Sequence, residues 1–486
     1  MSIPLPPDEV TKKVKDAYVY AYPLPVMYYT EQAQTTVPID TTKTPSQSAP
    51  LNVFCNMTSF PDASFTAVVR PNFDTLYSSA WLDLSTGPLV LKLPDTNARY
   101  YLMPILSAWT DVIASPGMRT NPTSPSTAAQ DFLLLGPGWK DPVPPCFDDL
   151  HVVRIPTNMA WISGRTKAMN TPEDLAIVNA LQAKYQLVPL ADYLKDPDGD
   201  YHPDMDVPVN PNYSSEKPSD IVSDLSKGMA VDYFNLFASL LVQNPPMAGD
   251  GEMVNDLEQL GIFPGQTVDW SGESPEIQNA IILGVQQGIE EINNPSGAKD
   301  DNGWIYPTSG IGNYQPPGAD HDNYLVRAQI ALAGLGANLP EDAVYPASDL
   351  DLKLDGSHKH ELYFTTGKTL PPKMVTVPPV NPEAFWSITV YDENGYILPD
   401  VPKYSINSGN VWYDENGIAT IYIQKTQPED PNHNLYNNWL PISDGNFTLT
   451  MRLYWPEKSV LSKAWIPPAI QTIGAVQAAR KTEAAA

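Results

Sequence analysis

Proline recurs 51 times in the 486 residues, about twice its usual ~5% share. Each proline fixes φ and removes a backbone N–H donor. Proline at this level points away from a helical bundle. It points instead to short elements joined by turns and long ordered loops. The 42% hydrophobic and 10% aromatic content still supplies ample core, which excludes wholesale disorder. At about 150 residues per domain, the length suggests roughly three domains' worth of chain, or two large ones.

The hydrophobic pattern changes period three times. Val10, Val14, Ala17 and Tyr18 share a face at helical spacing, so residues 8–30 read as a helix that Pro23 ends or kinks. Residues 31–60 are Thr-, Pro- and Ser-rich and read as irregular. From 62 to 165 the runs TAVV, LYSSAWLDL, LVLKLP, RYYLMPIL, DFLLLG and HVVRIP read as short strands of an antiparallel sandwich or barrel-like sheet. Residues 171–292 turn helical. Thr171-Pro172-Glu173-Asp174 is a start signal: a cap, a proline suited to the first position, and acids at the positive end. Leu175, Val178, Leu181 and Tyr185 follow it. Ser219 opens a helix carrying Val222, Leu225, Met229, Phe234 and Leu240. Ser274-Pro275 opens one carrying Ile277, Ile281, Val285 and Ile289. Shorter helices are expected near 252–260, stopping at Gly261, and near 322–335.

The last third returns to strands. The pentapeptide YDENG occurs at Tyr391–Gly395 and Tyr413–Gly417, and Asn-Gly suits a tight hairpin turn. In FTLTMRLYW, Phe447, Leu449, Met451, Leu453 and Trp455 fall on one face. Thr448, Thr450, Arg452 and Tyr454 fall on the other. Strands and helices in separate blocks favour α+β over a doubly wound α/β sheet. The expected division is an N-terminal helix (1–30), a β-rich N-terminal domain (31–168), a helical middle segment (169–340), a C-terminal β-sandwich (341–465) and a frayed tail (466–486).

The 29 Lys+Arg against 56 Asp+Glu give a net charge of −27. No basic run is present, which argues against nucleic-acid partners and polybasic membrane docking. No uncharged apolar run reaches about 18 residues, so no membrane span is expected. The start, MSIPLPPDEV, lacks the basic and apolar regions of a secretion signal, so a cytoplasmic location is expected. Two cysteines, Cys55 and Cys146, cannot build a disulfide framework or a cysteine zinc cluster. A single bridge or two buried thiols remain. The sequons at Asn56, Asn212 and Asn446 read as chance matches.

The G-x-S-x-G, P-loop, H-E-x-x-H and G-x-G-x-x-G motifs are missing, which lowers the odds of the commonest hydrolases and nucleotide enzymes. His358 and His360 would share one side of a strand. A metal pair is one reading, and an exposed polar face beside Lys359 and Glu361 is preferred. Asp196, Asp198 and Asp200, followed by Asp204 and Asp206, could surround Ca²⁺, which takes six to eight oxygen ligands. A solvated acidic loop is the preferred reading. The strongest local signal is Arg70-Pro71-Asn72-Phe73-Asp74-Thr75-Leu76-Tyr77. Read structurally, Asp74 caps the turn and pairs with Arg70. Read as a pocket wall, Arg70 or Asn72 holds an anionic or carbonyl group, and Asp74 or Tyr77 moves a proton.

Several stretches resemble a known family. Arg70–Trp81, Arg99–Met103 (RYYLM), Trp109–Arg119 (WTDVIASPGMR), Gly136–Trp139 (GPGW) and Trp161–Thr166 (WISGRT) are similar to the bacterial and fungal domain of unknown function 1254. Ala384–Gly395 (AFWSITVYDENG), Tyr404–Ile406, Asn438–Pro441 (NWLP) and Leu453–Pro456 (LYWP) are similar to its usual companion, domain of unknown function 1214. The segments Asn244–Gly265, Gly303-Trp304 and Tyr324–Ala337 resemble the family's linking region. The resemblance implies β-rich terminal domains, the second jelly-roll-like, with helices between them, and a trimer-like assembly. Relatives often carry a secretion signal, which this start does not show.

The resemblance assigns no reaction. Residue chemistry points to a nucleotide- and haem-independent enzyme on a small molecule, performing hydrolysis, dehydration or isomerisation. Asp74, Tyr77 and Asp111 would supply acid–base groups, with Arg70, Asn72 and Arg119 binding substrate. The alternative is a non-catalytic oligomeric ligand-binding or scaffold protein. The motifs WSITVY, NWLP and LYWP read as packing, and their apolar strand edges favour a homo-oligomer.

Overall fold

The computed structural model describes residues 3–36, 48–65, 69–121, 123–206, 216–295, 300–315, 318–319, 321–367, 374–430 and 434–473. Most of the TAVV run, the Asn212 sequon, His433 and the tail from 474 lie outside them. Within them the chain is α+β, with two β-rich regions and a layer of helices.

The first helix, Pro7–Ala21, gives way at Tyr22 to a second, Pro23–Thr35. Pro23 breaks the helix as expected and then starts the next one, because a proline in a first helical turn removes an N–H that has no intrahelical partner. The second helix therefore runs into the stretch read as irregular. Thr171 caps Pro172–Gln182 through a 3.3 Å bond from the Asp174 N–H. Ser274 caps Pro275–Asn293. The single helix expected from Ser219 is two, Pro218–Leu225 and Val231–Leu240. Gly228 and Ala230, both at positive φ, separate them, and Pro218, not Ser219, takes the first position.

The N-terminal domain is two sheets over one core. The six-stranded sheet centres on the antiparallel pair Thr75–Asp83 and Met159–Lys167. The four-stranded sheet runs Gln186–Pro189, Leu89–Leu93, Gln130–Leu135, Val152–Arg154. Thus a strand from the block read as helical returns to this domain. Leu82, Leu91, Phe132, Leu134, Ile105 and Ile162 fill the space between the sheets. On the outer face, Trp81 and Trp161 stack with ring centroids 5.0 Å apart and meet the helical layer. That layer packs Pro7–Ala21 against Pro275–Asn293 at close quarters. A Cβ on Gly284 would lie 2.6 Å from the Thr11 carbonyl oxygen, so only glycine permits this approach.

The C-terminal domain faces a seven-stranded sheet to a five-stranded one, with Ile388, Leu449 and Met451 of the first meeting Leu362, Phe364 and Ile421 of the second. The strand Phe447–Tyr454 is buried along its whole length. Its apolar face enters this core, as the alternation predicts. Its Thr450, Arg452 and Tyr454 face turns to the N-terminal domain, where Tyr454 joins Tyr100, Leu102 and Phe385 in an apolar cluster.

Both YDENG segments form tight turns of one design. The Asp392 N–H donates to the Tyr396 carbonyl at 2.9 Å, and the Asp414 N–H to the Ile418 carbonyl at 2.8 Å. Gly395 and Gly417 supply the positive φ. A regular strand flanks each turn on one side only, so these are not simple hairpins. His360 departs from the exposed polar face expected of it. It is buried, bonded to Thr472 and the Asp355 carbonyl, because the strand's inward positions alternate through it. Cys55 and Cys146 form no disulfide, and Cys146 is exposed rather than buried. Among the described residues no helix is long and apolar enough to cross a membrane.

Candidate functional site

The segment Arg70–Asp74 is clamped between the domains. The Arg70 N–H donates to the Gly395 carbonyl at 2.7 Å. The Tyr391 hydroxyl donates to the Pro71 carbonyl. Arg452 donates through Nη2 to the Arg70 carbonyl at 2.9 Å. Asn72, not Asp74, closes the turn: its Oδ1 accepts from the Asp74 N–H at 2.7 Å and the Thr75 N–H at 3.3 Å. Its Nδ2 donates to the Tyr454 hydroxyl at 2.8 Å.

Asp74 is buried, and Ser387 of the C-terminal domain donates to its Oδ2. Its Oδ1 has no hydrogen-bond partner among the described residues. Burial pushes its carboxyl above the usual range, against the pull of the Arg452 charge and the Ser387 bond. It makes no ion pair with Arg70, whose Nη1 donates to Thr450 Oγ1 at 2.8 Å.

Beside this clamp lies a cleft of about 540 Å³. Tyr77 and Ser79 line it from one strand, and Trp161, Ser163 and Arg165 from its neighbour. Thr450 and Arg452 come from the C-terminal domain. Ile330, Leu335, Asn338 and Tyr345 close the third side. Tyr77 and Arg165 are register partners, and the guanidinium carbon sits 5.1 Å from the Tyr77 ring centroid. Arg165 Nη1 donates to the Tyr345 hydroxyl at 3.0 Å, and its Nε is buried without a partner. Among the described residues no Asp, Glu or His lines the cleft.

Of the residues singled out in the sequence, Arg70, Asn72 and Tyr77 line this cleft together. Asp74 lies beside it in the domain interface and does not line it. Arg119 points elsewhere: its Nε donates to Asp342 Oδ1 at 2.6 Å, while Ser115 holds the other oxygen of that fully buried carboxylate. Asp111 belongs to a separate buried cluster. Its Oδ2 is 3.9 Å from Arg327 Nη1, which binds Asp322 at 2.8 Å. The Arg327 guanidinium lies over the rings of Trp109, Tyr324 and Tyr20. Burial drives the Asp111 carboxyl up to about 7, opposed by Arg327 and helped by Asp322 and Asp250. Asp196, Asp198 and Asp200 sit on an exposed loop. No three His, Cys, Asp or Glu side chains among the described residues are grouped as metal ligands.

Arg165, Arg452 and Tyr345 were not singled out in the sequence as site residues. For two of them the sequence carries a signal: Arg452 is the one charged residue of the strand Phe447–Tyr454, and Arg165 sits within the strand Met159–Lys167, where a buried charge needs a reason.

Residues 51–189 match the protein family of unknown function DUF1254, and residues 342–458 match the family of unknown function DUF1214. The fold is similar to the crystal structure of the VPA0106 protein from Vibrio parahaemolyticus, with a TM-score of 0.66 and 21% identity, covering 96% of this chain and 100% of that one. A structure of an uncharacterised protein from Burkholderia cenocepacia aligns with a TM-score of 0.43 and 11% identity, over 96% of this chain and 94% of that one. Comparison with curated proteins finds no match.

Proposed function

We propose that this chain, a two-domain protein with a DUF1254 domain at its N-terminal side and a DUF1214 domain at its C-terminal side, binds a small organic molecule between its domains. One observation carries the reading: apolar walls and a few convergent polar groups from both domains surround a single cleft of about 540 Å³. That size and lining are those of a small-molecule site. A scaffold would more naturally fill such a space with side chains, since interiors pack to near-crystalline density.

A second reading, an enzyme working without nucleotide or haem, draws support from one pair. The Tyr77 phenol shares the cleft with the Arg165 guanidinium over its ring, which places a proton donor beside a fixed positive charge. Hydrolysis, dehydration and isomerisation all fit. Asp74 and Asp111, outside the lining, would act only indirectly.

Thermal-shift screening of a metabolite panel tests both. A bound compound should stabilise the wild type and fail with Ala337→Trp, which puts an indole at a position lining the cleft. Equal stabilisation of both proteins removes the cleft as the site. Tyr77→Phe should keep binding under either reading and lose turnover only under the second.

A further inference from the structure

We infer that the molecule taken by the cleft is an organic acid, its carboxylate held by Arg70 with Arg165 and Arg452 behind it and its apolar body against Trp161, Ile330 and Leu335. This rests on the cleft being a small-molecule site and adds the class of ligand.

The inference starts from charge. The chain carries 56 Asp+Glu, so acidic partners are plentiful. Yet three guanidiniums line one cleft, and none of them makes an ion pair within 4.0 Å among the described residues. Three other arginines are closely paired: Arg99 with Asp174 at 2.6 Å, Arg119 with Asp342 at 2.6 Å, Arg327 with Asp322 at 2.8 Å. Arg165 and Arg452 are each 4% exposed. Burying charge without a counter-ion is costly, and neutral acceptors only partly relieve it. Arg452 spends its Nη groups on Thr389, two carbonyls and Tyr391. Arg165 keeps a buried Nε with no acceptor.

Asp74 does not settle the balance. It acts on Arg452 through space without an ion pair and stands outside the lining. Three positive groups against one carboxyl that stands outside the lining leave the cleft cationic. Arg70 is the least buried member of the set. It is half-buried, and one hydrogen bond from its side chain is accounted for, to Thr450. The planar fork of an arginine matches a carboxylate. The indole of Trp161 and the aliphatic Ile330 and Leu335 form apolar surface in the same cleft, which an acid with an apolar body would cover and inorganic phosphate would leave bare.

Titration calorimetry at pH 7 can decide. The probes are phenylacetate, 3-phenylpropionate and octanoate, each against its primary amide, with inorganic phosphate alone as the third arm. The acids should bind at least about tenfold tighter than the amides, as a charge-assisted pair requires. Arg70→Gln should erase that preference, and Arg70→Lys, which keeps the charge, should retain part of it, both with wild-type melting in the absence of probe. Amides binding as tightly as acids would overturn the inference while leaving the cleft reading intact, provided Ala337→Trp blocks them. Phosphate binding as tightly as the acids, with the same dependence on Arg70, would overturn it in favour of a phosphate site. No saturable binding by any acid at millimolar concentration would overturn it as well. The cleft reading is judged separately, by whether neutral members of the wider panel discriminate wild type from Ala337→Trp.

Discussion

Asn72 and Tyr454 stand 382 positions apart and meet at 2.8 Å, the amide of one donating to the phenol of the other. The same Asn72 closes its own turn through Oδ1. One side chain therefore shapes a local turn and docks it onto the far domain. The Arg70–Tyr77 segment is first a piece of interface and, through Arg70, Asn72 and Tyr77, also a wall of the cleft.

Replacing Asp74 separates charge from hydrogen bonding. Asp74→Asn keeps an acceptor for Ser387 and removes a carboxyl that burial has pushed up. Its melting temperature should equal or exceed the wild type's at pH 8. A carboxyl raised in the folded state costs stability as pH climbs above its unfolded value of about 3.9, so the gain should shrink toward pH 4. Asp74→Ala strands Ser387 and should lose about 1–3 kcal/mol. Calorimetric melting of both variants at the two pH values checks this. Unfolding of the Asn variant would instead mean that Arg452 depends on an ionised Asp74.

Asp111 gives the protein a pH slope of its own. With its carboxyl at about 7 in the fold, the native state holds a proton that the unfolded chain releases. Stability should fall as pH rises from about 4 to about 7. Below that window both states are protonated and the effect vanishes. Urea unfolding of Asp111→Asn between pH 4.5 and 7.5 should show a flatter profile than wild type. Parallel profiles would place the titration on another group, with Asp322 the first to examine.

Arg119 is predicted to matter for folding and not for ligands. Asp342, fully buried, depends on it and on Ser115. Arg119→Ala should cost roughly 3 kcal/mol, the usual penalty for stranding a buried charge. Adding Asp342→Asn should recover part of that loss, because the stranded charge is then gone. Denaturant titration of the single and double variants reads the coupling. Loss of probe binding by a still-folded Arg119→Ala would contradict the assignment.

Gly284→Ala tests the helix contact. Alanine favours a helix over glycine by about 1 kcal/mol, yet its Cβ would press on the Thr11 carbonyl at 2.6 Å and on Val14 Cβ at 2.9 Å. Overpacking against backbone should prevail, for a net loss of about 1–2 kcal/mol. Gly251→Ala is the control, since a Cβ there meets nothing within 4 Å and should be neutral or mildly stabilising.

Local chemistry made much of this fold legible. The cap at Thr171, the break at Pro23, the stop at Gly261 and the two Asp-Glu-Asn-Gly turns are set by neighbours a few residues away, and each is present. The alternation in Phe447–Tyr454 even separated the core face from the face that meets the other domain. Long-range pairing was not legible. Nothing near Arg119 announces Asp342, and nothing near Asp111 announces Arg327. Both look like site residues in the sequence, because a charge beside an apolar strand looks the same whether its partner is a ligand or a distant side chain. Arg165 escaped notice for the converse reason. Its strand position hints that the charge matters, but the lack of an acidic partner among the described residues shows only in the assembled chain.

Arg452 sits on one of the last strands of the chain, and the carbonyls it grips at Arg70 and Pro71 are made some 380 residues sooner. Domains fold as they leave the ribosome, N-terminal side first. The N-terminal sheet can thus form while half of the cleft is still unwritten. The cleft gains its Thr450 and Arg452 wall only with the strand Phe447–Tyr454, so a chain made only as far as the N-terminal domain presents an open sheet face and no pocket. Docking of that strand and closure of the cleft become a single event.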